Sequence, residues 1–242
     1  MRIIADLHTH TLFSTHAFST FSEMVSQAKA LGMNAIAITD HGPAMPDTGH
    51  IWHFHNSNQL PKVIDGTLVL FGAEANLLNT EGEVDIPVNV MQELDWIIVS
   101  MHKELIPSLT KEQANKAWLA VAENPYVDMI GHCEQVQHEF DIDVVIPAFA
   151  KNNKVVEMNG NSANVRPAGK ENMRKIALAC KKYGCKIAIN SDAHSMYKIG
   201  DVQKVADMIE DIDFPKELII NADWQQLKNE LKLHNKSIIK FI

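Results

Sequence analysis

Apolar and β-branched residues recur along the chain in short runs spaced by roughly thirty residues, the combined length of a strand, a helix and two loops. Segments with helix signals lie between these runs. The pattern therefore predicts seven strand–helix units in series. The predicted strands are 2–8, 34–40, 67–74, 94–100, 126–132, 153–159 and 186–190.

Helix signals are clearest in three of the intervening segments. Ser19 or Thr20 can cap the first of them, and Gly32 ends it. Thr110 is the capping candidate of the second, and the third again ends in glycine, at Gly184. We predict helices at 19–32, 108–124 and 168–184.

The predicted strands are almost continuously apolar, which is typical of a parallel sheet covered by helices. The chain has 242 residues, 46% hydrophobic and 21% charged, and this matches one well-packed domain better than two small ones. For seven strand–helix units of this size, closure into a barrel is the economical arrangement. We predict the α/β class, with residues 1–242 forming a single (β/α)7 barrel domain.

Residues that can bind a metal follow or end six of the seven predicted strands. They are His8 and His10, then His41, Glu74, His102, His132, and finally Asp192 with His194. In a parallel barrel the carboxyl ends of all strands meet on one face, where barrel enzymes keep their active sites. Two residues apart on an extended chain, His8 and His10 point to the same side. The sequence therefore predicts a metal centre on this face.

Net charge and residue composition limit the kinds of molecule that we expect the protein to bind. The formal net charge is −8, and the chain has only three arginines, so a general nucleic-acid surface is not expected. Three cysteines without CxxC spacing predict neither a disulfide framework nor a thiolate zinc site. No apolar run approaches the roughly 18 residues of a membrane span, and no signal-type start is present. We therefore expect a soluble, cytoplasmic protein without membrane contact.

Seven motifs in order resemble the polymerase and histidinol phosphatase (PHP) family, and in particular its YcdX-type phosphatase branch. The motifs are DLHTH at 6–10, STHAFST at 14–20, ITDHGP at 38–43, GAEAN at 72–76, SMHKE at 100–104, IGHCE at 130–134 and NSDAH at 190–194. Together they cover essentially the whole chain. One departure is GHCE where many relatives read SHP, which affects the expected shape of the loop after His132.

This resemblance implies a distorted (β/α)7 barrel that holds three metal ions at the carboxyl ends of its strands. It implies a first metal held by His8, His10, Glu74 and Asp192. The second would be held by Glu74, His102 and His132, with Glu74 bridging, and the third by His16, His41 and His194. All nine positions carry the expected residue type. We assign the catalytic roles to Glu74, Asp192 and His194.

The donor set predicts the metal and the reaction. Imidazoles with a minority of carboxylates suit zinc, and also manganese or iron, better than calcium or magnesium. Three divalent ions would leave the pocket positive, so that the metals form the anion site of an arginine-poor chain. They would also lower the pKa of a bridging water towards ~7. We predict a metal-dependent phosphoesterase, with phosphomonoesterase preferred, acting on a small phosphorylated substrate.

Other functions stay open at this point. A PHP-type nuclease or phosphodiesterase would need a basic groove beside the pocket. A metallo-amidohydrolase is a second alternative, because histidine-lined barrels also serve that reaction. An inactive module that binds metal for stability or interaction is a third. The sequence also leaves the physiological substrate, the native metal and the oligomeric state open.

Candidate substrate residues are the basic side chains near the predicted face. They are Arg166 and Lys170 after the sixth strand, Lys103 beside His102, and His53 in the HIWHFHN segment. Each of them has an equally ordinary interpretation as a solvated or packed surface residue. Two aspartates have expected supporting roles. We predict that Asp6 orients a ligand imidazole and that Asp40 points away from the metals and supports the site or a turn.

Overall fold

The computed structural model describes residues 1–165, 167–234 and 237–242. In these ranges eight strands form one sheet, and all seven predicted strands are confirmed. The strands are β1 (Ala5–Asp6), β2 (Ala35–Ile38), β3 (Val63–Ile64), β4 (Thr67–Asn76), β5 (Trp96–Ser100), β6 (Met129–Ile130), β7 (Val155–Asn159) and β8 (Ile187–Asn190). The order is β1-β2-β4-β5-β6-β7-β8 with every neighbour parallel, and only β3, which was not predicted, pairs antiparallel with β4.

The helices that alternate with these strands confirm the predicted segments. They are α1 (Phe21–Ala30), α2 (Trp52–His55), α3 (Val88–Met91), α4 (Lys111–Glu123), α5 (Ile142–Lys151), α6 (Gly160–Val165), α7 (Pro167–Tyr183), α8 (Gln203–Asp211) and α9 (Trp224–Leu233). Thr20 caps α1 and Thr110 caps α4, each in a reciprocal capping box with the side chain three residues later. Among the helices of the described ranges, none combines the length and apolar character needed to cross a membrane.

Two apolar layers hold the barrel together. Alternate strand residues form the inner layer, which continues into the apolar face of α9. Its members include Ala5, Leu7, Ala35, Ala37, Leu68, Leu70, Trp96, Ile98, Met129, Val155, Ala188, Leu227 and Leu231. The other strand face packs outwards against the helices. Because α9 closes the amino-terminal end of the barrel, the carboxyl end is the one left to carry a site.

Asn221 closes the barrel between β1 and β8. Its amide nitrogen donates to Ala5 O (2.9 Å) and Ile189 O (2.7 Å), and its Oδ1 accepts from Ile189 N (3.0 Å). At the carboxyl end, Thr9 and Ala193 form an isolated parallel bridge instead of a full ladder. Hydrogen bonds of the Asn221 side chain therefore stand where a ladder between β1 and β8 would otherwise close the barrel.

We expect Asn221→Ala to lower the free energy of unfolding by about 2–4 kcal/mol, because buried backbone groups of Ala5 and Ile189 lose their partner. Urea denaturation measures the loss. The matched control is Asn229→Ala, at an exposed position of α9. Equal stability of the two variants would contradict the closing role of Asn221.

His234 lies at the closed end between two carboxylates. Its Nδ1 is 2.9 Å from Asp128 Oδ1, and its Nε2 is 3.1 Å from Glu230 Oε1. Burial disfavours the charged imidazole, but the hydrogen bonds to both carboxylates dominate and raise the pKa of His234 to about 9. The protonated ring therefore links the strand β6 region to α9.

This raised pKa predicts a pH-dependent contribution to stability. The contribution is complete below the ordinary histidine pKa of about 6.5 and is lost as the pH rises through about 9. The stability advantage of the natural protein over His234→Gln should shrink by about 1–3 kcal/mol between pH 6 and pH 9.5. Urea denaturation at both pH values checks it, and a difference that does not change with pH would refute the assignment.

Candidate metal centre

Glu74, on the long strand β4, is the centre of the carboxyl-terminal face. Its side chain is fully buried. The Oε2 atom lies 2.8 Å from His41 Nδ1, 3.3 Å from His8 Nε2 and 3.5 Å from His10 Nε2. These three imidazoles come from the segments that follow β1 and β2, so adjacent strands deliver them to one oxygen.

The second oxygen of Glu74 faces the opposite side of the barrel. Oε1 lies 2.8 Å from His132 Nε2 and 3.3 Å from His102 Nε2, which follow β6 and β5. Glu74 therefore has five imidazoles around one carboxylate. Such an arrangement is what a carboxylate that bridges two metal ions requires.

Asp192 and His194 complete the cluster from the segment after β8. Asp192 Oδ1 is 3.2 Å from His10 Nε2 and 3.7 Å from His8 Nε2. The His194 ring stacks on His10 at 4.2 Å and lies 4.4 Å from His16, between ring centroids. His16 is at the outer edge, with its side chain 49% exposed.

The structure thus brings all nine predicted ligand residues into one region. Three groups have ligand atoms within 4.8 Å of one another, namely His10 with His41 and His194, His8 with His10 and Glu74, and His41 with Glu74 and His102. His41 differs from the grouping that the family resemblance implies, because its Nδ1 also contacts Glu74. One imidazole therefore joins the Glu74 side of the centre to the His194 side.

Backbone conformation directs two of these side chains into the centre. His132 has φ of 23° and Asp192 has φ of 54°, both in the left-handed region that non-glycine residues rarely adopt. Each follows a parallel strand that has just ended. The local turn replaces the regular strand alternation at these positions, and such strain is typical of functional sites.

Most of the histidines are held through Nδ1, which leaves Nε2 towards the centre. The Nδ1 partners are Glu157 for His8 (2.8 Å), Ser14 for His10 (3.4 Å), Asp47 for His16, Asn76 for His102 (2.6 Å), Gln135 for His132 (2.8 Å) and the Asp192 carbonyl for His194 (3.0 Å). Metal-binding histidines are commonly oriented in this way. His41 is the exception, since it presents Nδ1 to Glu74.

Unpaired buried atoms show that the centre fits a metal. Among the described residues, five inward-facing atoms make no hydrogen bond of regular geometry, although two of them, His41 Nδ1 and Glu74 Oε2, lie 2.8 Å apart. The other three are His8 Nε2, His10 Nε2 and His194 Nε2. A buried polar atom without a partner costs about 1–3 kcal/mol. Their convergence on one region is explained by coordination to a divalent cation, and nitrogen-rich donors suit zinc, manganese or iron.

Charge distribution supports the same conclusion. Burial opposes ionisation of Glu74, but the charges of His8, His41 and His102 outweigh it and hold the pKa of Glu74 well below its ordinary value. Burial, together with His194 and His41, lowers the pKa of His10 to about 3. The Glu74 carboxylate is therefore ionised and His10 is a neutral imidazole at pH 7, which are the forms that bind metal ions. Burial opposes the charged forms of His8, His41 and His132, but neighbouring carboxylates outweigh it and raise the pKa of each, so a metal that binds there displaces protons.

Sequence reasoning missed several supporting residues. Glu157 lies in β7, a predicted apolar strand, and the signal was a carboxylate between Val156 and Met158. Asn76 stands two residues after Glu74 on the same strand face, which was also a usable signal. Asp47, in the loop after β2, gave no such signal because the contact to His16 depends on how two loops meet.

The two aspartates with expected supporting roles have different outcomes. Asp40 accepts hydrogen bonds from Thr11 N and Oγ1, both at 2.7 Å, and from Ser14 Oγ at 2.8 Å, so it supports the loop that carries the ligands, as predicted. The prediction for Asp6 is wrong. Its carboxylate bonds Ser191 and Gly200 instead of an imidazole, because β1 ends at Asp6 and regular alternation stops there.

A cavity of about 370 Å³ opens above the cluster and includes His41, Glu74, His102, His132, Asp192 and His194 in its lining. Of the candidate substrate residues, Lys103 is exposed in a neighbouring cavity beside His102. Lys170 is exposed on α7. His53 stacks on Phe13 at 3.7 Å and lines a separate cavity. Arg166 lies outside the described residues.

Fold and site together define a (β/α)7 barrel whose histidine and carboxylate cluster can bind divalent metal at the carboxyl ends of the strands. A family model described as the PHP domain matches residues 6–161. The chain belongs to this family, as its motifs predicted.

Relatives with similar sequences extend over the whole chain. Proteins described as "Probable phosphatase" are 39% identical over 237 residues in Clostridium acetobutylicum and 37% identical over 238 residues in Acetivibrio thermocellus. The matches cover 98% of this chain in both cases, and 97% and 99% of the relatives.

The fold is similar to that of the histidinol phosphate phosphatase of Lactococcus lactis, solved in complex with zinc, L-histidinol and phosphate. The TM-score is 0.65 at 19% identity, and the match covers 89% of this chain and 95% of that one. This likeness confirms the predicted barrel.

We expect Glu157→Gln to weaken metal binding by about 10–100-fold, because the charged partner of His8 Nδ1 is lost. Competition with a chromophoric chelator measures the affinity. The control is Glu112→Gln on the exposed first turn of α4. If both variants bind metal equally well, Glu157 has no orienting role.

Proposed function

We propose that this protein is a metal-dependent phosphomonoesterase whose centre holds three divalent ions, with zinc as first choice and manganese or iron as alternatives. The observation that carries the proposal is the single buried carboxylate of Glu74 within 3.5 Å of five imidazoles. Family membership and relatives described as phosphatases support the same activity.

We propose the ligand sets that the family motifs imply. The first ion would be held by His8, His10, Glu74 and Asp192, the second by Glu74, His102 and His132, and the third by His16, His41 and His194. The Nδ1 contacts of His8 and His102 support these assignments, since they leave Nε2 to face Glu74. Because His41 also contacts Glu74, it lies between the third ligand set and the sets that contain Glu74.

When bound, divalent ions at this centre supply Lewis acidity, which lowers the pKa of water towards ~7 and neutralises charge on phosphoryl oxygens. The side chains of the protein hold these ions in position. Glu74 and Asp192 are ionised, because neighbouring imidazoles keep the pKa of each well below its ordinary value despite burial. We propose both as catalytic residues together with His194, which lines the cavity.

The charge balance favours a phosphate monoester as substrate. Three divalent ions carry six positive charges against two negative charges from Glu74 and Asp192, so the loaded centre attracts a dianion. The overall net charge of −8 opposes a general nucleic-acid surface. We therefore propose a small phosphorylated substrate and no membrane partner. A nuclease, an amidohydrolase and an inactive metal-binding module are the outcomes that the experiments below distinguish.

We expect the natural protein to bind close to three metal ions per chain and Glu74→Gln to lose both metal and activity, because the bridging charge is removed. His53→Ala is the comparison variant, since His53 lines a separate cavity and its Nε2 lies 3.6 Å from Asp40 Oδ2, one step removed from Glu74. The loss of activity for Glu74→Gln should exceed that of His53→Ala by about 10–100-fold. Elemental analysis and kcat/KM for an aryl phosphate are the measurements. Equal values in the two variants would remove Glu74 from the bridging role.

Matched aryl phosphate, aryl phosphodiester and amide substrates test the reaction class. The monoester should have the highest kcat/KM, because a dianion gains most from a centre of high positive charge. Inorganic phosphate should inhibit competitively as the product.

Each other ranking has its own meaning. Preference for the diester would favour a nuclease or phosphodiesterase. If the enzyme hydrolyses the amide and inorganic phosphate does not inhibit that reaction, the protein is an amidohydrolase and the phosphoesterase proposal is wrong. A protein that binds metal but turns over none of the three would support the inactive module.

A further inference from the structure

A second cavity, which we term the side lobe, adjoins the metal centre. Its volume is about 420 Å³, compared with about 370 Å³ for the cavity above the cluster. Both cavities are lined by His16, Asn161, Asp192 and His194. Shared walls place the side lobe next to the outer edge of the centre, where a group attached to a bound phosphate has room.

An exposed aromatic ring forms one wall of the side lobe. Phe18 lines it and is 81% exposed. The backbone of Phe18 is held in place, since its N donates to His194 O at 2.8 Å, and the next residue, Ser19, accepts from Met196 N at 2.9 Å. Backbone contacts rather than packing of the ring thus fix Phe18 beside the ligand His194. A ring bound against Phe18 would remove apolar surface of both from water.

The remaining walls are polar but nearly neutral. Asn161 and Asn164 contribute amides from α6, and Asn161 Nδ2 is 3.5 Å from Asp192 Oδ2. Lys198 lines the side lobe together with Asp201, and the two form an ion pair at 2.9 Å that offsets the charge of each. Away from the metal ligands, the described lining residues of the side lobe therefore include no unpaired cation that could bind a second negatively charged group of the substrate. It suits an uncharged group with hydrogen-bonding atoms.

We propose that the side lobe binds the alcohol portion of the phosphate ester and that Phe18 favours an uncharged, ring-bearing alcohol. This inference rests on the proposed phosphomonoesterase function. The ring lies on Phe18, its polar substituents meet Asn161 and Asn164, and the phosphoryl group faces Glu74 and the imidazoles. Phe18 is a specificity-determining residue under this assignment, because it contacts the alcohol and not the phosphorus.

The kinetic test compares a ring with an acyclic alcohol in metal-loaded enzyme. For Phe18→Ala, kcat/KM for phenyl phosphate should fall about 5–30-fold, the effect expected from losing an aromatic contact with its buried area. For glycerol phosphate it should change less than about twofold, because this alcohol has no ring to stack. The matched control is Phe241→Ala, another exposed phenylalanine (53%), which lies in the C-terminal segment. Equal losses for both esters, or none for phenyl phosphate, would overturn the proposal.

Binding of non-hydrolysable analogues separates this inference from the proposed activity. Calorimetry on the metal-loaded protein should show tighter binding of benzylphosphonate than of methylphosphonate, and Phe18→Ala should abolish most of that difference. Inorganic phosphate should bind the natural protein and the variant equally. If this pattern holds while no ester is hydrolysed, the side lobe assignment stands and the phosphatase function fails. If esters are hydrolysed but Phe18→Ala leaves the preference for benzylphosphonate intact, the phosphatase function stands and the side lobe assignment fails.

Discussion

The carboxylate of Glu74 is the constraint on which the rest of the centre depends. A fully buried charge is costly unless opposite charges or a metal compensate it. Five imidazoles lie within 3.5 Å of this side chain, and they come from loops after four different strands. The barrel must therefore bring those loops to one point, and β4, which is ten residues long, carries Glu74 at that point.

Around this centre lies a second set of residues that fixes the imidazoles. Glu157, Asn76 and Asp47 each occupy the Nδ1 atom of one histidine. Glu157 also accepts from His132 N at 2.9 Å and Asn190 Nδ2 at 3.0 Å, so one carboxylate connects the predicted ligands that follow β1 and β6 to β8. These contacts hold the rings from the Nδ1 side, as is common for metal-binding histidines.

The two ends of the barrel have different roles, one in closing the fold and one in carrying the site. At the amino-terminal end α9 covers the inner apolar layer, and Asn221 joins β1 to β8 through its side chain. At the carboxyl end the same seam is held by the Thr9–Ala193 bridge and by hydrogen bonds from Ser191 to the Asp6 carboxylate, and the loops bearing His10 and Asp192 emerge beside it. Apolar packing closes the amino-terminal end, whereas the carboxyl end carries the inward-facing donors and the cavity above them.

The sequence by itself determined the seven strands, the cap at Thr110 and the strand-end positions of the nine predicted ligand residues, because hydrophobic periodicity and strand ends are local properties. For the cap of α1 it left Ser19 and Thr20 open, and the structure has Thr20. It also placed Asp40 in a supporting role. Only the tertiary structure decided the partners of Asp6, the position of His53 and the closing role of Asn221. The partners of Asp6 depend on where the alternation of β1 ends. The other features depend on contacts between residues far apart in sequence, such as Asn221 with Ala5 (216 positions apart), and no local pattern encodes such contacts.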